Sequence, residues 1–295
     1  DGSATEYQYD QAGKPITIID GMNHTKALAY DGLNRLIRSS DTDGDIVKTY
    51  DTANRVTSIT DQRGLTTQYR YNGFGEKIEQ ISPDTGSSYF KYDIAGRMIE
   101  KVDARGETTQ YRHDLIGRVT DVIYPSANDE NIHYVYDARQ THQANDATND
   151  EQYLIGRIAE VHQSTGTSYY EYNHRGQVAK HHYSIGAQQY AVEYHYAKGG
   201  KLEQMTYPSG RVVNYGHNKQ GRLAEVSTMQ GSSAEQLIAN RFEAMPFGTY
   251  ASFAYGNGSE VSVARDLNFR IKDICSHPLY GRTFAQINYP RILVF

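Results

Sequence analysis

The chain repeats itself about every 21 residues, and any fold proposed for it must reproduce that period. The unit reads Y-x-Y-D-x-x-G-R-[LV]-x-x-[IV]-x-D-x-x-G. Successive copies begin at Tyr7-Gln8-Tyr9-Asp10, Tyr30-Asp31, Tyr50-Asp51, Tyr69-Arg70-Tyr71-Asn72, Phe90-Lys91-Tyr92-Asp93 and Tyr111-Arg112-His113-Asp114. With the Asp or Asn as marker, positions 10, 31, 51, 72, 93 and 114 are separated by 21, 20, 21, 21 and 21 residues. The pattern continues at Tyr134-Val135-Tyr136-Asp137, Tyr170-Glu171-Tyr172-Asn173, Tyr194-His195-Tyr196 and Tyr215-Gly216-His217-Asn218. Between Asp137 and Gly156 the phase slips, because the polar run 141–152 (THQANDATNDEQ) stands where a tight turn belongs; the expectation there is an exposed loop.

Each motif position has a physical reason. The two rings of Y-x-Y lie at i and i+2, one face of a strand, so tyrosines of adjacent repeats are expected to stack as cross-strand pairs. The Asp or Asn that follows can bond its own backbone two residues on, and Gly at the fourth place supplies positive φ. Asn34 and Asn54 take that Gly slot in two copies, and Asn is the next residue to tolerate the left-handed region. An Arg or Lys then opens a short apolar segment, and a second turn such as Asp61-Gln62-Arg63-Gly64 closes the hairpin.

In that segment the apolar pair often sits at i and i+3, as in Val56/Ile59 and Val119/Val122. The segment is too short and too tightly bounded by turn residues for a helix, so a β-bulge or a late strand start is expected. Structural roles in the repeat are accordingly assigned to Tyr7, Tyr9, Asp10, Gly13, Tyr69, Tyr71, Gly75, Tyr92, Asp93, Gly96, Arg97, Asp114, Gly117, Arg118, Tyr170, Tyr172, Gly176, Gly221 and Arg222.

Composition narrows the function classes. The 26 tyrosines against 8 phenylalanines and no tryptophan predict thin, ring-rich layers with many hydroxyls needing partners. A net charge of -5 with no Lys/Arg run argues against nucleic-acid binding. Cys275 is the single cysteine, so no internal disulfide forms. No basic segment followed by an apolar one lies near Asp1, and no stretch approaches the length of a membrane-spanning helix.

Candidate reactive groups dissolve into the repeat. His113 and His217 occupy the second ring position of Y-x-Y and read as stand-ins for Tyr. His181 and His182 are adjacent, so on a strand they point to opposite faces and share one metal ion poorly. Asp and Arg at i and i+4, as in Asp51/Arg55, Asp93/Arg97 and Asp114/Arg118, recur in copy after copy, which argues for turn architecture. Gly256-Asn257-Gly258 is followed by neither Lys-Ser/Thr nor a helix, and Pro208-Ser209-Gly210 reads as a hairpin tip. No cofactor, metal or catalytic set is expected. Tyrosine faces could still receive sugar rings, which offer apolar C–H faces and polar rims.

The Y-x-Y-D-x-x-G-R unit resembles the YD or RHS repeat. The resemblance runs from Tyr7 to about Ile274 and includes Tyr255-Gly256-Asn257-Gly258 followed by Arg265-Asp266-Leu267-Asn268-Phe269-Arg270-Ile271, similar to the family's "GNG … YD … R" variant with Arg265 in place of Tyr. It implies an all-β fold: an elongated, curved antiparallel sheet of tandem hairpins, a segment of a spiral shell as in bacterial polymorphic toxins, toxin-complex cocoons and teneurins. It further implies a repeat array over 1–275 and a non-repeat tail over 276–295. The family's self-cleaving D-P-x-G-L ending is absent, so no catalytic residue is carried over.

The expected function is a non-catalytic wall segment of a secreted or surface-delivered bacterial protein. Its partners would be the remainder of a larger RHS protein or its cargo; the alternative is a carbohydrate-binding or adhesion module that takes glycans on tyrosine-lined faces. The terminal run Ile292-Leu293-Val294-Phe295 is expected to fold back on the sheet or to pair with another copy.

Overall fold

A computed structural model describes residues 4–139, 153–245, 249–277 and 285–288. The loop expected at 141–152 and most of the expected tail, including Ile292-Leu293-Val294-Phe295, lie outside them. The chain divides into two compact units, Asp1–Ile132 and His133–Phe295.

In the first unit the strands are β1 (Glu6–Tyr9), β2 (Pro15–Ile19), β3 (Thr25–Tyr30), β4 (Leu36–Asp41), β5 (Gly44–Tyr50) and β6 (Val56–Thr60). They continue as β7 (Thr66–Tyr71), β8 (Lys77–Ser82), β9 (Gly86–Tyr92), β10 (Met98–Val102), β11 (Thr108–His113) and β12 (Val119–Ile123). Each pairs antiparallel with the next in sequence, a plain meander.

The second unit contains β13 (Ile132–Tyr136), β14 (Ile158–Gln163), β15 (Gly166–Tyr172), β16 (Val178–Ile185), β17 (Gln188–Tyr196) and β18 (Leu202–Thr206). After these come β19 (Arg211–His217), β20 (Leu223–Gln230), β21 (Gln236–Ala244), β22 (Tyr250–Tyr255), β23 (Glu260–Arg265), β24 (Ile271–His277) and β25 (Ala285–Asn288). From β13 onward the meander rule holds again. A 3-10 turn at Asn128–Glu130 is the one helical segment among the described residues.

The i/i+3 apolar spacing is a bulge. Tyr50 faces Val56 and Thr49 faces Ser58, so Thr57 is skipped. The same one-residue slip recurs where Tyr30 faces Leu36, Tyr71 faces Lys77, Tyr92 faces Met98, Tyr172 faces Val178 and Tyr196 faces Leu202. A bulge turns one residue out of the ladder and leaves a backbone group to be satisfied elsewhere.

The meander corrects one expectation. Y-x-Y strands never pair with each other, because the post-turn strand of a repeat always lies between them; β5 is flanked by β4 and β6. Tyrosines of adjacent repeats are therefore two strands apart and do not form cross-strand pairs.

Burial is thin, as the scarcity of aliphatics requires. Among the described residues the buried hydrophobic side chains are Val135, Leu154, Ala159, Val213, Ala239, Ala254 and Val261, all in the second unit. The first unit's strands are mostly half-buried on both faces, so burial of apolar area alone gives it little.

Close strand approach appears at Gly166 (φ 154°), where an added Cβ would sit 1.7 Å from the Ser184 carbonyl oxygen. Gly166→Ala is therefore expected to cost at least ~2 kcal/mol in urea unfolding. Gly106→Ala, with φ 84° and nothing near its Cβ, should cost only about 1 kcal/mol. Equal costs would contradict the close approach.

Candidate functional site: the inter-repeat lock and the aromatic strips

The repeat turn is an Asx turn with a strong salt link. Asp51 Oδ1 accepts the N–H groups of Ala53 and Arg55, both at 2.9 Å. The Asp51 N–H meanwhile donates to the Arg55 carbonyl (2.9 Å). Asp51 Oδ2 takes Arg55 Nε at 2.7 Å. The guanidinium then crosses to the next repeat: Arg55 Nη1 donates to the Asn72 carbonyl (2.9 Å), and its carbon lies 5.0 Å from the Tyr71 ring centroid. Tyr71 answers from the other side, its hydroxyl donating to the Val56 carbonyl at 2.8 Å.

That carbonyl belongs to the first residue of the bulged strand. The same bond runs from Tyr30 to Pro15 (3.0 Å), Tyr50 to Leu36 (2.8 Å) and Tyr92 to Lys77 (2.9 Å). In the second unit it runs from Tyr172 to Ile158 and from Tyr196 to Val178, both at 2.9 Å. The second tyrosine of Y-x-Y thus supplies the donor that the preceding repeat's bulge requires.

The other assigned motif residues fall into the same geometry. Asp10 closes its turn on Ala12 and Lys14, with Gly13 at φ 77°. Asp93 pairs with Arg97 at 2.6 Å, and Arg97 Nη1 reaches the Asp114 carbonyl at 2.8 Å. Asp114 pairs with Arg118 at 2.6 Å. Gly75, Gly96, Gly117, Gly176 and Gly221 all have positive φ. Arg222 donates its backbone N–H to Asn218 Oδ1 (3.0 Å). Tyr7 and Tyr9 stack along β1 at 6.3 Å, and Tyr170 and Tyr172 lie 6.4 Å apart on β15.

His113 occupies the Tyr slot, and its Nδ1 is buried without a hydrogen-bond partner. An imidazole fills the ring's place but is too short to reach the bulge carbonyl that a phenol would cap.

In two of the turns headed by Asn, the fourth residue on is an acceptor: Asn72 Nδ2 donates to Glu76 at 2.6 Å, and Asn173 Nδ2 to Gln177 at 3.2 Å, whereas Asn218 is followed there by Arg222. In those two turns an acceptor at the second place meets the donor that Asn brings to the first.

The second unit adds aromatic strips on both faces of β15 and β16. On one face Tyr170 stacks on His181 (4.6 Å, 8°) and Tyr183 on Tyr190 (5.1 Å, 19°). On the other, Tyr169 stacks on His182 (4.0 Å), whose Nε2 lies 2.5 Å from Glu171 Oε1. The Arg139 guanidinium sits 4.8 Å from the Tyr169 ring and donates to the Tyr170 carbonyl (3.2 Å). Neither Arg139 nor Glu171 carried any repeat signal.

Beside them Glu160, fully buried, lies 2.7 Å from His162 Nε2, and Thr167 Oγ1 lies 3.2 Å from His162 Nδ1. This carboxylate–imidazole–hydroxyl chain has the connectivity of a nucleophile-activating triad. Chemistry would also need N–H donors aimed beside the hydroxyl. The Thr167 N–H is instead given to Ser184 Oγ at 3.1 Å, and the Ser184 hydroxyl returns to the Thr167 carbonyl at 3.3 Å. The network anchors a buried carboxylate between strands.

The repeat is decided by comparison with known families: the model of the RHS repeat matches residues 30–61, 50–87 and 92–129. The chain carries RHS repeats. Its fold resembles part of solved Tc-toxin complexes. A TcdB2–TccC3 complex superposes with a TM-score of 0.73 at 15% identity, covering 98% of this chain and 18% of that one. A Tc holotoxin pore of Photorhabdus luminescens carrying a mutated TccC3 gives 0.72 at 15%, covering 98% and 17%. This chain therefore spans less than a fifth of the length of those proteins. No curated protein matches the sequence. The matched RHS repeats all lie in the first unit, whereas the bulges and turns continue through the second.

The lock sets a pH window. The Arg35 and Arg55 backbone N–H groups, with their guanidinium groups, hold Asp31 and Asp51 below the usual carboxylate value. The Arg97 guanidinium, then its N–H, does the same for Asp93. Burial pushes the Tyr71, Tyr92, Tyr172 and Tyr196 phenols up. A lowered carboxylate contributes stability present above its unfolded value of about 4 and lost as pH falls through the folded value. A raised phenol contributes stability present below about 10 and lost as pH rises through the folded value. Urea midpoints should accordingly fall at both extremes and stay level in between as far as these groups are concerned. An undiminished midpoint at about pH 3 would contradict the carboxylate half of this account.

Proposed function

We propose that the chain is a wall segment of a β-shell that encloses or presents a polypeptide cargo, within a larger RHS protein delivered outside a bacterial cell. One observation carries the reading: the repeated polar groups are consumed by the wall itself. Asp carboxylates hold turns, Arg groups bridge to the next repeat, and the second tyrosine's hydroxyl caps a bulge carbonyl. A repeat organised this way builds area, hairpin by hairpin, and leaves no convergent reactive set among the RHS motif residues. The fold likeness to Tc complexes supports the same reading, since this fold recurs there within much longer chains.

Carbohydrate binding by tyrosine-lined faces is the alternative that composition raises. The faces that Tyr170 and Tyr183 turn along the strip are covered by His181 and Tyr190, which favours strand-to-strand adhesion over sugar stacking.

Enclosure is tested by protease protection of the native polypeptide that contains this segment. A brief trypsin pulse should spare an enclosed fragment in the wild-type protein and destroy it when Arg55→Gln and Arg97→Gln loosen the wall. Equal digestion in both proteins would contradict enclosure.

A further inference from the structure

We propose that the open edge of β17 over Gln188–Val192 is a docking site for an extended peptide, which it takes up as an added antiparallel or parallel strand. Strand β17 is bonded to β16 along its whole first half, from Gln188 opposite Ile185 to Glu193 opposite Lys180. Its other edge meets β18 only from Glu193 to Tyr196. The neighbouring hairpin ends early: Thr206 pairs with Val212, and the Tyr207 N–H closes the turn on the Arg211 carbonyl at 2.8 Å. Gln188–Val192 therefore has a ladder on one side, and among the described residues no segment pairs with the other side.

The chemistry of that edge selects its occupant. In an antiparallel ladder alternate residues turn their N–H and C=O groups away from a given neighbour, so at least two of these five residues present a donor and an acceptor outward. Such groups recur about every 7 Å along a strand, the spacing of a partner backbone and not of a sugar chain. The open stretch spans about 17 Å, room for about five residues.

Between the edge and the Tyr207–Gly210 turn lies a groove of about 750 Å³, walled by Tyr183 and Tyr190 on one side and Tyr207 and Pro208 on the other. Its charged lining group is Glu193, which is 2.8 Å from Lys180, so the groove favours an uncharged segment and disfavours an acidic one. Exposed edges are ordinarily blunted by Lys, Pro or a bulge. Here Gln188-Gln189-Tyr190-Ala191-Val192 has neither residue, and its register with β16 runs without a slip. The proposal does not depend on the shell reading.

The test uses the full chain and a fluorescein-labelled octapeptide of alternating threonine and valine, capped at both ends. Anisotropy should show saturable binding, and hydrogen exchange should slow at the amides of Gln188–Val192. A twin peptide with alternate N-methyl groups should bind at least tenfold more weakly. Ser209→Trp, which fills the groove from its far wall, should weaken binding to a similar degree with an unchanged circular dichroism spectrum. Equal binding of the N-methylated twin would overturn the proposal, as would protection confined to the outer edge of β1. Displacement of the peptide by maltoheptaose would reassign the groove to sugars and overturn it equally.

Discussion

One recurring hydrogen bond ties the repeats together, from the second tyrosine of a repeat to the carbonyl at the bulge of the repeat before it. The bulge lets a short hairpin turn sharply and carry its Asx turn, and the carbonyl just before the skipped residue accepts the tyrosine hydroxyl. An unmet carbonyl of that kind costs about 1–3 kcal/mol when covered. The phenol of Tyr71 supplies the missing donor to Val56, and its ring fills the space that Arg55 closes from above. A phenylalanine would fill the space without the bond, which accounts for tyrosine at Tyr30, Tyr50, Tyr71, Tyr92, Tyr172 and Tyr196.

The second constraint is the want of a conventional core. Two packed layers are the usual solution to hiding a sheet's apolar face. Among its described residues the first unit buries no large hydrophobic side chain completely, so its stability rests on ladders and locks distributed evenly along the chain. Each lock ties one repeat to the next through partly covered charges, Asp31–Arg35, Asp51–Arg55 and Asp93–Arg97 among them. Isolated surface ion pairs contribute little, whereas each of these also holds a backbone carbonyl, and Arg35 and Arg55 a tyrosine ring as well. Stability that is shared between neighbours in this way suits an array that builds a wall.

Much of this was legible in the sequence. The period, the Asx turns, the positive φ at Gly13, Gly75 and Asn54, and the bulge behind Val56/Ile59 all follow from local chemistry, which a sequence records directly. The lateral relations were not. Tyrosines were expected to stack between neighbouring repeats, but the meander inserts β6 or its equivalent between them, and strand order is a property of the whole hairpin. The swap of Asp/Arg for Asn72/Glu76 and Asn173/Gln177 was visible in the letters, yet its meaning needs the contact to be known. The open edge of β17 depends on strands of unequal length, which no repeat motif encodes.

The central claim is tested most directly by removing single hydroxyls. Tyr71 and Tyr69 share a strand and differ in that the Tyr71 hydroxyl donates to the Val56 carbonyl. Urea unfolding of the Tyr71→Phe and Tyr69→Phe variants should show a loss of about 1–3 kcal/mol for the first and under about 0.5 kcal/mol for the second. Equal losses, or none at Tyr71, would contradict the claim that these tyrosines hold the array together by capping the bulges.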